Sequence, residues 1–186
     1  MRITTGIKKG HTIKVPQGTV RPTKDMVRQA IFSILDEFVQ NSLVVDLFAG
    51  SGSLGLEALS RGAQHCDFVE SERKAHQTIE ENITRFNLWE KAETYEMEVF
   101  DFISHVAGEG TYDLIFADPP YGYERITKLL HKVTPILRPK GILVLEHDKK
   151  TKIDLNTSSD LKLIDQRTYG ITKVSFFQKQ NVSFPI

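Results

Sequence analysis

The stretch that most constrains this 186-residue chain is residues 43–55, where an apolar run breaks into glycines and then resumes at helical spacing. The run at 43–48 is rich in β-branched and aromatic residues and too short for a free helix, so it predicts a buried strand of a parallel sheet. Gly50, Gly52 and Gly55 allow a sharp turn, close approach of the backbone to a ligand, and packing of the next helix on the sheet. The spacing therefore predicts a strand, turn and helix that bind a nucleotide-type cofactor.

Two acidic residues extend this candidate site. Asp46 interrupts the predicted strand, and a carboxylate is costly to bury without hydrogen bonds, so we expect it near the open end of the strand, facing a polar ligand. Glu70 follows the predicted second strand, residues 65–69. An acid at this position holds the ribose hydroxyls in dinucleotide enzymes and S-adenosylmethionine enzymes alike. The glycine motif alone leaves both cofactor classes open.

The predicted fourth strand, residues 112–117, ends in the sequence D-P-P-Y. Pro119 and Pro120 have no N–H group and stiffen the backbone, which leaves the Asp118 carboxylate and the Pro119 carbonyl as fixed acceptors. Two acceptors suit the exocyclic amine of a nucleobase, because they favour a pyramidal nitrogen with a localised lone pair. Tyr121 adds a flat face on which the base can stack. The motif favours S-adenosylmethionine over NAD, since a dehydrogenase would need a His or Lys acid–base pair beside Asp118.

Composition limits the remaining possibilities. The length and the 40% hydrophobic content suit one α/β domain. No apolar run approaches a membrane span, and the N-terminus lacks a signal-peptide core, so we expect a cytoplasmic protein. The single cysteine, Cys66, excludes internal disulfides, and the six histidines show no metal-ligand spacing, so we expect no metal. We also expect a monomer.

The net charge is zero, but residues 1–28 hold seven of the 24 basic residues and one of the 24 acidic residues. Weak alternation predicts a basic β-hairpin extension over residues 1–20, outside a domain of residues 21–186. An amphipathic helix follows at 24–39, with Thr23 as its N-cap, and its basic start could bind an anion. A solvated basic surface without a partner is the alternative. The candidate RNA contacts are Lys8, Lys9, Lys14, Arg21, Thr23, Lys24 and Arg28.

Hydrophobic periodicity and turn residues predict the other elements. We expect helices at 54–60, 71–86 and 123–133, a short helix beginning near residue 98, strands at 94–97 and 142–145, and a closing hairpin at 161–164 and 174–177. Pro135 is expected to end the helix at 123–133.

The stretch V-V-D-L-F-A-G-S-G-S-L-G-L-E-A-L-S-R-G-A, with F-V-E, D-P-P-Y and a preceding R-P-T-x-x-x-V-R-x-A, resembles the bacterial 16S rRNA guanine-N2 methyltransferase family, whose usual member modifies guanine 966. The similarity covers nearly the whole chain. It implies a class I Rossmann-like methyltransferase fold of seven strands with the last antiparallel, and S-adenosylmethionine as methyl donor. It also implies 16S rRNA in the small ribosomal subunit or its assembly intermediate as partner.

The resemblance further assigns roles to residues. Asp118, Pro119, Pro120 and Tyr121 would hold the target amine, Glu70 the ribose, and Glu98 with Val99 the adenine. The candidate cofactor residues are then Asp46, Phe48, Gly50, Ser51, Gly52, Glu70, Glu98, Val99 and Asp118.

Three other functions stay open at this point. D-P-P-Y also serves DNA adenine-N6 methylation, although this chain has little protein to spare for reading a duplex, and the basic segment suffices only to hold phosphates beside an exposed RNA loop. A NAD-dependent oxidoreductase and a non-catalytic RNA-binding assembly factor are the others. We predict methylation of N2 of a guanine in 16S rRNA.

Overall fold

The computed structural model describes residues 1–15, 22–106, 110–153 and 160–180. Arg21 and the side chain of Thr23, including its predicted capping role, lie outside what is described. The strands are β1 Leu43–Leu47, β2 His65–Val69, β3 Ala92–Tyr95, β4 Tyr112–Ala117, β5 Leu137–Asp148, β6 Leu161–Tyr169 and β7 Thr172–Lys179. The helices are α1 Pro22–Leu35, α2 Ser53–Ser60, α3 Arg73–Phe86, α4 Val99–His105 and α5 Ile126–Ile136, with 3₁₀ turns at Asp36–Val39 and Trp89–Lys91. In the described part of the chain, no helix is long and apolar enough to cross a membrane.

The seven strands form one sheet in the order β3-β2-β1-β4-β5-β7-β6. Only β7 is reversed, and it pairs antiparallel with both β5 and β6. This confirms the predicted class I architecture. β1 has β2 on one side and β4 on the other, so the direction in which successive strands are added to the sheet reverses here. In a sheet of this kind, a ligand binds in the crevice beyond the carboxyl ends of these strands. The glycine turn and D-P-P-Y both follow strands at this edge.

Helices cover the sheet on both faces, which explains why the central strands β1 and β4 are rich in buried apolar residues, while β3 and β6 at the two edges are more polar and exposed. One core layer contains Phe68, Phe116 and Phe176 under α1, α2 and α3. The other contains Leu47 and Ile115 under α4 and α5. Helix α2 packs closely on the sheet at Gly55, as predicted. A Cβ atom at this position would lie 2.3 Å from the Phe68 ring and 2.7 Å from the Cys66 sulfur, so no larger residue fits there.

Several element boundaries differ from the sequence prediction. The helix predicted at 24–39 is α1 at Pro22–Leu35 followed by a 3₁₀ turn, and the strand predicted at 94–97 is β3 at Ala92–Tyr95. The helix α5 continues past Pro135, since a proline in the last turn forfeits only one hydrogen bond of the helix. Strand β5 begins at Leu137 rather than 142, because Leu137 pairs with Tyr112 beyond an irregularity in the register. The closing hairpin is also longer than predicted, with β6 running to Tyr169.

The N-terminal residues fold back as a hairpin held by one antiparallel bridge between Arg2 and Thr12. Ile3 and Ile13 are buried in the same core layer as α1, α2 and α3. The far end of the hairpin lies at the end of α2, where the Ile7 amide donates to the Ser60 carbonyl at 2.8 Å. The hairpin therefore packs along the domain.

Candidate active site

The backbone between β1 and α2 adopts left-handed conformations at three positions. Gly50 and Gly52 have φ of 58° and 75°, which glycine adopts without strain. Phe48 has φ of 60°, which is uncommon for a side-chain-bearing residue and typical of turns under functional constraint. Its ring packs edge-on against Tyr123 at 5.3 Å between centroids. The glycine spacing predicted the turn, but nothing in the sequence indicated the strained phenylalanine.

Asp46 is the most buried acid of this region, with 1% of its surface exposed. Its carboxylate accepts a hydrogen bond from the Gly55 amide at 2.9 Å, which ties the strand to the helix. Burial raises the pKa of Asp46 to about 8, and the negative charges of Asp118 and Glu70 act in the same direction. A cation bound beside Asp46 would therefore favour its ionised form.

Glu70 fastens the glycine turn to the start of α3. Its two carboxylate oxygens accept from the amides of Gly50 and Glu72, each at 2.8 Å. A carboxylate offers about four acceptor positions, so Glu70 retains capacity for hydroxyl donors. The sequence analysis predicted a ribose-binding acid at this position, directly after β2.

A cavity of about 340 Å³ opens above the turn. Six of the predicted cofactor residues line it: Asp46, Phe48, Gly50, Ser51, Glu70 and Asp118. Gly52 does not line it but sets the turn before α2, while Glu98 and Val99 begin α4 outside it. The lining carries four carboxylates, from Asp46, Glu70, Glu72 and Asp118, and one basic side chain, that of Lys24. This charge suits a ligand with cationic groups and opposes a pyrophosphate.

A second cavity, of about 290 Å³, adjoins the first. It is lined by Asp118, Pro119, Pro120 and Tyr121 of D-P-P-Y. The Tyr121 ring is half exposed, and its hydroxyl lies 2.6 Å from the Thr172 Oγ1. Since the two cavities share Lys24, Asp118 and Pro120 in their linings, they meet at Asp118.

Lys24 lies at the centre of the site, although the sequence suggested only an RNA contact for it. Its Nζ is 3.3 Å from the Asp118 Oδ2, and the charge of Asp118 is the main reason that the pKa of Lys24 is raised. Lys24 thus partly neutralises the carboxylate that faces both cavities.

Glu146 and the turn from Tyr169 to Thr172 line the second cavity and were missed as site residues. Burial raises the pKa of Glu146 well above its ordinary value, the charge of Asp118 adds to this, and Lys24 opposes it. Glu146 lies near the end of β5, beside β4, so a polar residue at a parallel strand end was the available signal. The β6–β7 turn has no comparable signal, because only the sheet order brings it here.

Arg28 requires a correction. It was predicted as an RNA contact, but it is 2% exposed and donates to the Arg2 carbonyl and to Asp25. Its Nε lies 3.6 Å from the Glu57 Oε2. Because its guanidinium is enclosed by these partners, Arg28 holds the N-terminal hairpin to α1 and α2 and is not available to a phosphate.

Of the other predicted RNA contacts that are described, Lys24 lies at the site, whereas Lys8, Lys9 and Lys14 line neither cavity. Lys14 pairs with Glu81 on α3, and its amide donates to Asn82 at 2.8 Å. The Lys8 amide donates to the Ser60 Oγ at 3.0 Å, and Lys9 follows it in the same turn. Since α2 begins at the glycine turn and is about 12 Å long, Lys8 and Lys9 lie toward the opposite edge of the sheet. Lys14 lies near the glycine turn, because Asn82 also donates to the Ser51 carbonyl at 3.1 Å.

Comparison with known proteins supports this picture. The family model described as "Conserved hypothetical protein 95" matches residues 1–178. The protein YlbH of Bacillus subtilis is 37% identical over 184 residues, covering 97% of this chain and 100% of that protein. The ribosomal RNA small subunit methyltransferase D of Haemophilus influenzae is 30% identical over 183 residues, covering 96% of this chain and 93% of that protein.

Solved structures share the fold. The Escherichia coli protein yhhF matches with a TM-score of 0.85 and 25% identity, covering 97% of this chain and 98% of that one. The 16S rRNA N2 G1207 methyltransferase of Thermus thermophilus, in complex with AdoMet and guanosine, matches with a TM-score of 0.71 and 21% identity, covering 89% of this chain and 44% of that one. These matches confirm the resemblance seen in the sequence, and the chain belongs to the family described as Conserved hypothetical protein 95, together with ribosomal RNA small subunit methyltransferase D.

Proposed function

We propose that this protein transfers a methyl group from S-adenosylmethionine to the N2 amine of a guanine in 16S rRNA, in the small ribosomal subunit or its assembly intermediate. Guanine 966 is the position that the sequence resemblance implies. The observation that carries the proposal is the meeting of an acidic cofactor cavity and a D-P-P-Y cavity at one carboxylate, Asp118. A donor in one cavity and an acceptor amine in the other would face each other there.

The first cavity suits S-adenosylmethionine. When bound, this cofactor supplies an electrophilic methyl group on a sulfonium and also carries an ammonium group. Asp46, Glu70 and Asp118 provide carboxylates for these cationic groups and for the ribose hydroxyls. A Cβ added at Gly50 would meet no atom within 4 Å, so the turn leaves open space for a ligand against the backbone.

The second cavity suits a nucleobase amine. Asp118 and the Pro119 carbonyl accept from the two N–H groups and keep the nitrogen lone pair directed toward the first cavity. Pro119 is buried and Pro120 follows it, so these acceptors are held rigidly. The ring of Tyr121 stacks on the base. Asp118 need not remove a proton beforehand, because the nitrogen becomes acidic once it carries the methyl group.

The relatives' names favour an rRNA substrate over the alternatives. The Haemophilus influenzae relative is named for methylation of small-subunit rRNA, and its similarity spans nearly both chains. The NAD alternative is disfavoured by the carboxylates of Glu70, Glu72 and Asp118 in the first cavity, which would repel a pyrophosphate. A non-catalytic assembly factor would have no need for the Asp118 arrangement.

The experiment is mass mapping of rRNA from a strain lacking the gene, together with transfer of labelled methyl groups to small ribosomal subunits from that strain. We expect one guanine to lose its N2 methyl in the strain and to regain it in vitro. Intact rRNA methylation with loss of genomic N6-methyladenine would instead favour the DNA enzyme. Particle binding without any methyl transfer would favour the assembly factor.

A further inference from the structure

Four lysines lie beside the second cavity. Lys149, Lys150 and Lys152 follow β5, and Lys173 is the second residue of β7. All four line a groove of about 440 Å³. The first three are exposed and Lys173 is partly exposed. We call Lys149, Lys150, Lys152 and Lys173 the lysine shelf.

The charge of the lysine shelf is not compensated within the described chain, where none of the four lysines forms an ion pair. The carboxylate of Asp148, the acid next to them in the chain, accepts a hydrogen bond from the backbone amide of Lys150 at 2.7 Å. Asp165, on β6, pairs with Arg167 at 3.1 Å. In the basic hairpin, Lys14 pairs with Glu81, whereas Lys8 and Lys9 form no ion pair with a described residue.

The lysine shelf is continuous with the wall of the second cavity. The Lys149 amide donates to the Ile171 carbonyl at 2.9 Å, and both Ile171 and Thr172 line that cavity. Lys173 follows directly in the chain and pairs in register with His147, so both side chains lie on the face of the sheet opposite to that of the cavity residues Glu146 and Thr172. The backbone of a polymer whose base entered the second cavity would therefore reach these four charges by passing over the end of the β5–β7 pair.

We propose that the lysine shelf binds the phosphodiester backbone of the RNA strand that flanks the target nucleotide. This inference rests on the proposed function and adds where the RNA is held. A row of flexible ammonium groups without a matching set of base-reading side chains suits phosphates, which are contacted regardless of sequence. Binding there would release counterions, so affinity for RNA would fall as salt rises.

The test compares two variants that each lose four positive charges. The shelf variant carries Lys149→Gln, Lys150→Gln, Lys152→Gln and Lys173→Gln. The matched control carries Lys91→Gln, Lys132→Gln, Lys140→Gln and Lys162→Gln, all at exposed positions outside both cavities. Particle binding by sedimentation and methyl transfer are measured against undermethylated small ribosomal subunits over a salt series. Circular dichroism and S-adenosylhomocysteine affinity verify that each variant is folded.

We expect the shelf variant to raise the KM for particles at least tenfold and to reduce the slope of log affinity against log salt by about 2 to 3, since each contact with a single strand contributes about 0.7. Its kcat at saturating particle and its S-adenosylhomocysteine affinity should stay unchanged, and Lys→Arg replacements should restore binding. Equal changes in the shelf and control variants would overturn the proposal, as would an unchanged slope. Wild-type protein that bound particles through the lysine shelf but transferred no methyl would instead refute the proposed function alone.

Discussion

The two cavities of the site are built in different ways. The cofactor cavity is formed mainly by one continuous stretch, from Asp46 to Leu54, and by the start of α3. The target cavity takes residues from α1, from D-P-P-Y, from the end of β5 and from the β6–β7 turn. A local motif can therefore specify the first cavity, whereas the second exists only when the whole sheet has formed.

The internal bonding of the two cavities differs as well. In the cofactor cavity, Asp46 and Glu70 bind the Gly55 and Gly50 amides, so the turn is fastened at both ends. In the target cavity, Lys24 bonds Asp118 and Tyr121 bonds Thr172 through their side chains. Backbone bonds also hold this cavity, since the Asp118 amide donates to the Leu47 carbonyl at 3.5 Å. The two side-chain pairs can rearrange around a substrate, whereas the bonds of Asp46 and Glu70 to backbone amides keep the cofactor turn fixed.

The largest effect is expected at Asp118, the residue shared by both cavities. Asp118→Ala should lower kcat at least a hundredfold, if this preorganised acceptor contributes as much as a preorganised donor of an oxyanion site, which is roughly 2.7 to 4 kcal/mol of transition-state stabilisation. Asp118→Asn keeps an acceptor oxygen and should lose less. Single-turnover methyl transfer and calorimetry with S-adenosylhomocysteine separate chemistry from cofactor binding. Full turnover in the alanine variant would contradict the role assigned to this carboxylate.

The next effect is expected at Tyr121, which belongs to the target cavity alone. Tyr121→Ala should raise the KM for the particle by a factor corresponding to about 1 to 3 kcal/mol of lost stacking. Tyr121→Phe keeps the ring and loses only the hydrogen bond to Thr172, so it serves as the matched control and should change KM less. If both variants behaved alike, the hydroxyl rather than the ring would be responsible. Cofactor affinity should be unchanged in both.

The sequence predicted the cofactor cavity better than the target cavity, for a physical reason. The cofactor motif is local: the first strand, the glycine turn and the acid at the end of the next strand are close in the chain. Their spacing was therefore enough to predict Gly50, Gly52 and Glu70 as cofactor residues. D-P-P-Y was recognisable because two prolines at a strand end constrain the backbone by themselves. The seven-stranded sheet with its last strand antiparallel was implied by the family resemblance and is confirmed.

Other features depended on partners that are distant in the chain. Arg28 looked like a surface cation because its neighbours on the helix gave no sign of Glu57, with which it is buried. The first residues of β5 were missed because they pair with β4 beyond an irregularity in the register, where Leu137 pairs with Tyr112. Glu146 had a recognisable position but no local motif, so it was not assigned to the site.

A smaller and pH-dependent effect is expected at Asp46. Its pKa of about 8 in the folded protein, against 3.8 for an unperturbed carboxyl, means that the folded state retains a proton that the unfolded chain releases. Stability from this group therefore falls as pH rises from about 4 to about 8. Asp46→Asn cannot ionise, so its stability relative to wild type should increase across this range, by at most about 1.4 kcal/mol per pH unit.

Denaturant unfolding at pH 5, 6, 7 and 8 measures this difference. The same variant should bind S-adenosylhomocysteine about tenfold more weakly at pH 8, because the carboxylate that faces the ligand's ammonium is gone. A stability difference that stayed constant with pH would show that Asp46 is ionised in the free protein. The cofactor cavity would then hold its full negative charge even without a ligand.

The smallest effect is expected at Lys8 and Lys9, which lie toward the sheet edge opposite both cavities. The double variant Lys8→Gln, Lys9→Gln should change the KM for particles less than about twofold, whereas Lys24→Gln should raise it more, because Lys24 lines the target cavity itself. Both are measured by methyl transfer at two salt concentrations. We therefore expect RNA recognition to depend on the target cavity and on the lysine shelf. A larger loss in the Lys8 and Lys9 variant than in Lys24→Gln would mean that the particle also contacts the amino edge of the sheet, and recognition would then extend along the whole length of α2.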